Sequence, residues 1–140
     1  MNPAFVYPMA AMFLLTAVVT CLMLRERIAE IKARQIRLKT VASSTQMNAV
    51  MHNTRAADNY KNLFEMPVFF YVFCLVAAST AAAPSQAWLW GAWLYVALRV
   101  VHSAIHVGYN RVIHRFWAFL ASNAVLMVLW LSLLLRLLNA

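Results

Sequence analysis

Apolar residues fall into four long blocks along this chain, separated by polar segments of unequal length, and their spacing predicts helices throughout. A helix needs about 20 residues to cross a bilayer, and the blocks read as spans at roughly 4–24, 66–83, 87–109 and 116–138. No basic residue precedes the first block and many follow it, so it is expected to remain as a span and not to be a cleaved leader. Residues 25–39 are expected to continue that helix beyond the membrane. Leu24, Ile28, Ile31, Gln35 and Leu38 keep alternating spacings of four and three, and Glu30 and Arg34 stand where they can pair at i, i+4. Ser43–Thr45 breaks the periodicity and is expected to be loop. Pro67 lacks an amide hydrogen and crowds the carbonyl of Leu63, which predicts a kink or a helix start there. The uncharged stretch Ser79–Gln86 is expected to be the turn between the second and third spans. There is no internal repeat.

Composition makes these blocks membrane spans. Of the 140 residues, 64% are hydrophobic and only 11% charged, against about 25% charged in an ordinary soluble domain. The length suits one domain, and the whole of 1–140 is read as one four-helix membrane unit. The formal charge of +8 does not point to nucleic acid, because the basic residues flank apolar blocks. Arg25, Arg27, Lys32, Arg34, Arg37, Lys39, Arg55 and Lys61 all lie between the first two blocks. The positive-inside rule then expects 25–61 and 110–115 in the cytoplasm and both termini outside, with Arg136 snorkelling. Cys21 and Cys74 sit in apolar blocks and read as small buried thiols.

Chemistry concentrates on two stripes. Tyr95, Arg99, His102 and His106 recur at i, i+4, i+7 and i+11, placing a guanidinium and two imidazoles along one face of the third block. A central arginine costs about 2.5–3.5 kcal/mol on insertion scales, so it needs protein or water and a partner. Asp58, Asn62, Glu65 and Phe69 form the second stripe with the same spacing. Counting back from the uncharged turn at about 1.5 Å per residue brings Glu65 and Arg99 to one depth, where they are expected to face each other. One structural ion pair would not require Asn62, His102 and His106 as well, so a polar site is preferred. His102 and His106 at i, i+4 have no further inward His or Cys, and no metal is expected. His114 reads as interfacial, and Trp88, Trp90, Trp93 and Tyr95 as an aromatic belt and helix packing.

Lys61–Pro67 reads K-N-x-x-E-x-P, and Arg99–Arg115 reads R-x-x-H followed by R-x-x-x-R. Together they resemble the MAPEG family, membrane-associated proteins in eicosanoid and glutathione metabolism, and the chain looks like a bacterial-type member. The resemblance runs from the second to the fourth span. It implies a four-helix bundle that trimerises, with glutathione held between neighbouring subunits near the cytoplasmic face. It places glutathione contacts on Asn62, Glu65, Arg99 and His102, with Lys61 and Arg111 in the same motifs. It also places stabilisation of the glutathione thiolate on Arg115, and Q-I-R-L at Gln35–Leu38 adds a contact at Arg37. Two positions depart from the family: His106 stands where a ligand-contacting Tyr is usual, and Asp58 and Asn59 stand where Arg or His is common.

The expected function follows from thiol chemistry. A thiol with a pKa near 8.5 is a poor nucleophile until it is deprotonated, and a guanidinium at a low-dielectric interface favours the thiolate. A lipid-soluble electrophile reaches the sulfur from the bilayer. The leading expectation is therefore a glutathione transferase or peroxidase with glutathione as co-substrate, Arg115 as thiolate stabiliser and His106 tuning it. Three alternatives stand beside it: a non-catalytic scaffold or regulator retaining the fold, a small transporter, and a bis-histidine haem protein.

Overall fold

The computed structural model describes residues 2–80 and 86–139. Six α-helices form within them: α1 (Val6–Arg34), α2 (Ser44–Val50), α3 (Arg55–Leu63), α4 (Met66–Ser79), α5 (Gln86–Val107) and α6 (Val112–Leu138). α1, α4, α5 and α6 make a four-helix membrane bundle, and α2 and α3 lie in the long connection after α1. The turn expected at Ser79–Gln86 falls on 81–85, outside the described residues.

Three stretches, Pro3–Arg34, Arg55–Ser79 and Val112–Leu138, are both long and apolar enough to cross a bilayer, which makes the chain an integral, multi-pass membrane protein. α5 has the length, with 22 residues or about 33 Å of helix, but its polar stripe lowers its hydropathy. That stripe is turned inward: Tyr95, Arg99, His102 and His106 are all buried. The bundle is filled by Phe5, Met12, Val19, Phe70, Phe73, Tyr95, Leu126 and their neighbours. Tyr95 stacks on Phe70 with ring centroids 4.6 Å apart, and Phe73 meets Phe5, Trp88 and Trp130 edge-on. Of the tryptophans and tyrosine read as a belt, Trp88 and Tyr95 pack inside while Trp90 and Trp93 face outward.

Several sequence expectations need correction. α1 stops at Arg34, because Gln35 adopts the left-handed conformation (φ 51°) and its amide turns back to the Ile31 and Lys32 carbonyls. The expected extension to residue 39 is replaced by a 3-10 turn at Leu38–Val41. The segment expected as loop at Ser43–Thr45 instead starts α2. Ser43 and Gln46 form a capping box, each side chain meeting the other's backbone amide. At Pro67 the expected helix start is found, and not a kink: α3 ends at Leu63 and α4 begins at Met66, with Glu65 (φ −94°, ψ −99°) outside either helix.

Two ties define the basic end. Glu30 and Arg34 pair at 2.8 Å, as their spacing predicts. Glu30 also accepts the amides of His52 (2.8 Å) and Asn53 (3.4 Å), while Arg34 donates to the Val50 carbonyl (2.7 Å). Arg55 donates to the Gly108 carbonyl at 2.8 Å, which joins the start of α3 to the end of α5. At the opposite end the amide of Asn2 meets the Ala78 carbonyl at 2.9 Å. The 25–61 connection and the α5–α6 turn therefore share one end of the bundle.

Candidate functional site

The break before Pro67 creates the first part of the site. In a continuous helix the Asn62 carbonyl would close a regular bond with Met66. Here it lies beside the Glu65 amide (3.4 Å) and accepts from Arg99 Nη2 (3.2 Å). The Asn62 side chain adds a second, shorter acceptor, with Oδ1 2.6 Å from the same Nη2. Arg99 is fully buried, and its Nε and Nη1 have no hydrogen-bond partner. The guanidinium carbon lies 5.9 Å from the ring centre of Phe119.

The expected Glu65–Arg99 ion pair does not form within one chain. Glu65 is exposed, and the salt bridge found among the described residues is Glu30–Arg34. The reason is phase. The stripe argument assigns each residue about 100° of rotation, and the non-helical Glu65 breaks that count after Asn62.

The second part comes from the ends of α5 and α6. Gly108 permits the tight exit from α5, since a Cβ there would lie 2.7 Å from the Ala104 carbonyl oxygen. Asn110 follows in the left-handed conformation (φ 51°), with its amide on the Ile105 carbonyl at 2.8 Å. This turn sets α6 so that Arg115 points back at α5. Arg115 Nη1 donates to Asn110 Oδ1 at 2.9 Å and to His106 Nε2 at 3.3 Å.

These bonds assign the imidazole tautomers. A carbonyl only accepts, so His102 Nδ1, 3.2 Å from the Arg115 carbonyl oxygen, carries its proton, and neutral His102 presents Nε2 as an acceptor. A guanidinium only donates, so His106 Nε2 is a lone pair and its proton sits on Nδ1. His102 Nε2 and His106 Nδ1 are both buried without a partner.

Asn62, His102, His106 and Arg115 line one cavity of 240 Å³, together with Val112, Phe116 and Phe119. Four of the residues predicted from sequence are thus brought together, with Arg99 directly behind Asn62. The others are not. Lys61 is exposed on α3 and does not line the cavity, and neither does Glu65. Arg111 lines a separate 340 Å³ recess with Val112, Ile113 and His114. Arg37 lies between α1 and α2, away from the cavity lining. His114 is exposed, with Nδ1 3.0 Å from the Tyr109 hydroxyl, in keeping with an interfacial position.

The sequence reading missed Asn110, Phe116 and Phe119. Asn110 had a signal, since an Asn just past a helix end favours the left-handed cap. The cavity is rich in donors: Arg99 behind it, Arg115 at its wall, and no acidic residue in its lining. Arg115 and Arg111 also stand at the N-terminus of α6, where positive charge is unfavourable to the helix by about 0.3–1 kcal/mol each. Helix stability therefore does not account for them, although the positive-inside rule alone would put basic residues at this boundary. Two imidazoles lie side by side (ring centres 5.6 Å apart), but no group of three or more His, Cys, Asp or Glu side chains is placed to hold a metal among the described residues.

The sequence model of the MAPEG family matches residues 5–135 of the chain. No curated protein and no solved structure matches it.

Proposed function

The chain belongs to the MAPEG family, and from that premise we propose that it is a glutathione-dependent transferase or peroxidase acting on lipophilic electrophiles. The observation that carries the reading is the cavity at the basic end, lined by Asn62, His102, His106 and Arg115, with Arg99, two of whose nitrogens lack a hydrogen-bond partner, behind it. An anionic tripeptide supplies what that cavity lacks. Its carboxylates suit the free donors of Arg99 and the Asn62 amide, and its thiol suits Arg115.

The magnitudes agree. Moving a thiol from a pKa of about 8.5 to about 6.5 requires roughly 2.7 kcal/mol of differential stabilisation. A guanidinium about 4 Å from the sulfur supplies about 4 kcal/mol at an effective dielectric near 20. One arginine therefore suffices, and Arg115 is the one at the cavity wall. In the transferase reaction the thiol proton leaves to water at the mouth, and the sulfur electron pair forms the bond to the electrophilic carbon. The displaced pair leaves with the leaving group or the opened ring oxygen. Phe116 and Phe119 give the electrophile an apolar surface beside the sulfur.

In this reading the protein is a trimer with its sites between subunits. A buried Arg99 with no carboxylate in salt-bridge contact among the described residues and an exposed Glu65 support it, because Glu65 is then available to a neighbour's ligand. Lys61, Arg111 and Arg37 remain candidates for glutathione contacts across such an interface. The cytoplasm is assigned to the basic end by the positive-inside rule, which puts the cavity where glutathione is available. Calorimetric titration of glutathione into the detergent-solubilised protein, with ultraviolet detection of thiolate, tests the reading. Saturable heat with thiolate formed at neutral pH is expected. Absence of both would overturn it.

A further inference from the structure

We propose that Asn110 is a positioning residue for Arg115: its side-chain carbonyl, with neutral His106, clamps Nη1 and leaves Nη2 and Nε to the cavity with the positive charge unquenched. The role in thiolate formation rests on the function proposed above; the clamp itself rests on geometry alone.

Both acceptors converge on one nitrogen, Asn110 Oδ1 at 2.9 Å and His106 Nε2 at 3.3 Å. Among the described residues no side-chain or backbone acceptor takes Nη2 or Nε of Arg115. Neither clamping group is acidic. A carboxylate in either place would orient the guanidinium equally well but would neutralise it, and the neighbouring sulfur would lose its counter-charge. A neutral clamp orients without that loss.

The backbone alone does not explain an Asn here. Residue 110 is left-handed, a conformation glycine adopts without strain and Asn only tolerates. If the chain needed only to close α5, glycine would serve better. What Asn adds is the amide oxygen, and that oxygen reaches the Arg115 side chain five residues on. The turn carrying it is braced from outside the bundle by Arg55 on the Gly108 carbonyl, so the acceptor is held by α3 as well as by α5.

Asn110→Gly separates the two roles, because it keeps the left-handed turn and deletes the acceptor. Asn110→Asp is its complement, keeping an acceptor and adding charge. In the parent, ¹⁵N spectra of the arginine side chains in micelles are expected to show separate Nη signals for Arg115, as hindered rotation requires. In Asn110→Gly these signals should merge while the thermal midpoint holds, and the pH at which bound glutathione becomes thiolate should rise by about one unit, roughly tenfold less thiolate. Asn110→Asp should keep the separate signals yet raise the thiolate midpoint further. Unchanged Nη signals and an unchanged midpoint in Asn110→Gly would reduce Asn110 to a helix cap and overturn the proposal. Should the parent form no thiolate, the function proposed above fails, and the ligand-free spectra still decide the clamp.

Discussion

Asn62 holds Arg99 through neutral oxygens and not through a carboxylate, which is what the proposed binding site requires and a structural ion pair would not. An amide oxygen at 2.6 Å and a released carbonyl at 3.2 Å satisfy one guanidinium nitrogen and leave two unpartnered. Asn62→Asp would supply the missing charge. It should raise stability by about 1.5–3 kcal/mol, in the range of hydrogen bonds to charged groups, and weaken glutathione at least about tenfold, or roughly 1.4 kcal/mol. Calorimetry and thermal unfolding on the same preparation read both effects, and unchanged affinity would show that Arg99 does not meet the ligand. Arg115 is tested by Arg115→Lys and Arg115→Ala. A boundary residue tolerates lysine, whereas a forked donor beside a thiolate does not. Both variants should lose about 10²–10³-fold in kcat/KM, as removal of one preorganised donor commonly does, with membrane insertion unchanged.

At the scale of elements, one carboxylate fastens the connection between α1 and α3. The Glu30 carboxyl is held below the ordinary carboxylate value, first by the His52 amide and then by the Arg34 guanidinium. A depressed pKa means that the stabilisation is fully present above the ordinary value of 4.5 and fades as pH falls through the lower folded value. Hydrogen exchange at His52 and Asn53, corrected for intrinsic rates, should therefore stay slow at neutral pH and accelerate only in that acidic window. Glu30→Gln keeps one acceptor oxygen but no charge, so its exchange should be faster at neutral pH and the acidic step should vanish. A parent whose exchange shows no such step would mean that the carboxylate does not hold the strap. The Glu30–Arg34 spacing was readable along a single helix. The bonds to His52 and Asn53 were not, because they depend on where a chain segment more than 20 residues away returns.

For the whole molecule, the basic residues of the 25–61 connection and of the α5–α6 turn lie with the cavity at one end of the bundle, Arg136 lies at the other, and the prediction is an orientation. In a background without Cys21 and Cys74, cysteines introduced at Ser44 and Asn139, both exposed, should be labelled from opposite sides of the membrane, Ser44 from the cytoplasm. Labelling from the same side would refute it. Native mass spectrometry in mild detergent should show a trimer; monomer alone would put the whole cavity within one chain and leave Glu65 without a role.

The all-helical membrane bundle and the inward face of α5 were determined by the sequence itself, because helix periodicity and bilayer thickness act locally and need no knowledge of neighbours. The K-N-x-x-E-x-P, R-x-x-H and R-x-x-x-R motifs likewise point to Asn62, Arg99, His102 and Arg115 from sequence. Only the tertiary structure decided their partners. Glu65 lost Arg99 because a break of two residues before Met66 ended the regular rotation on which its placement depended. Asn110 gained Arg115 because a left-handed turn folded α6 back along α5. In both cases the deciding quantity was the direction of the chain after a non-helical residue, which periodicity does not encode.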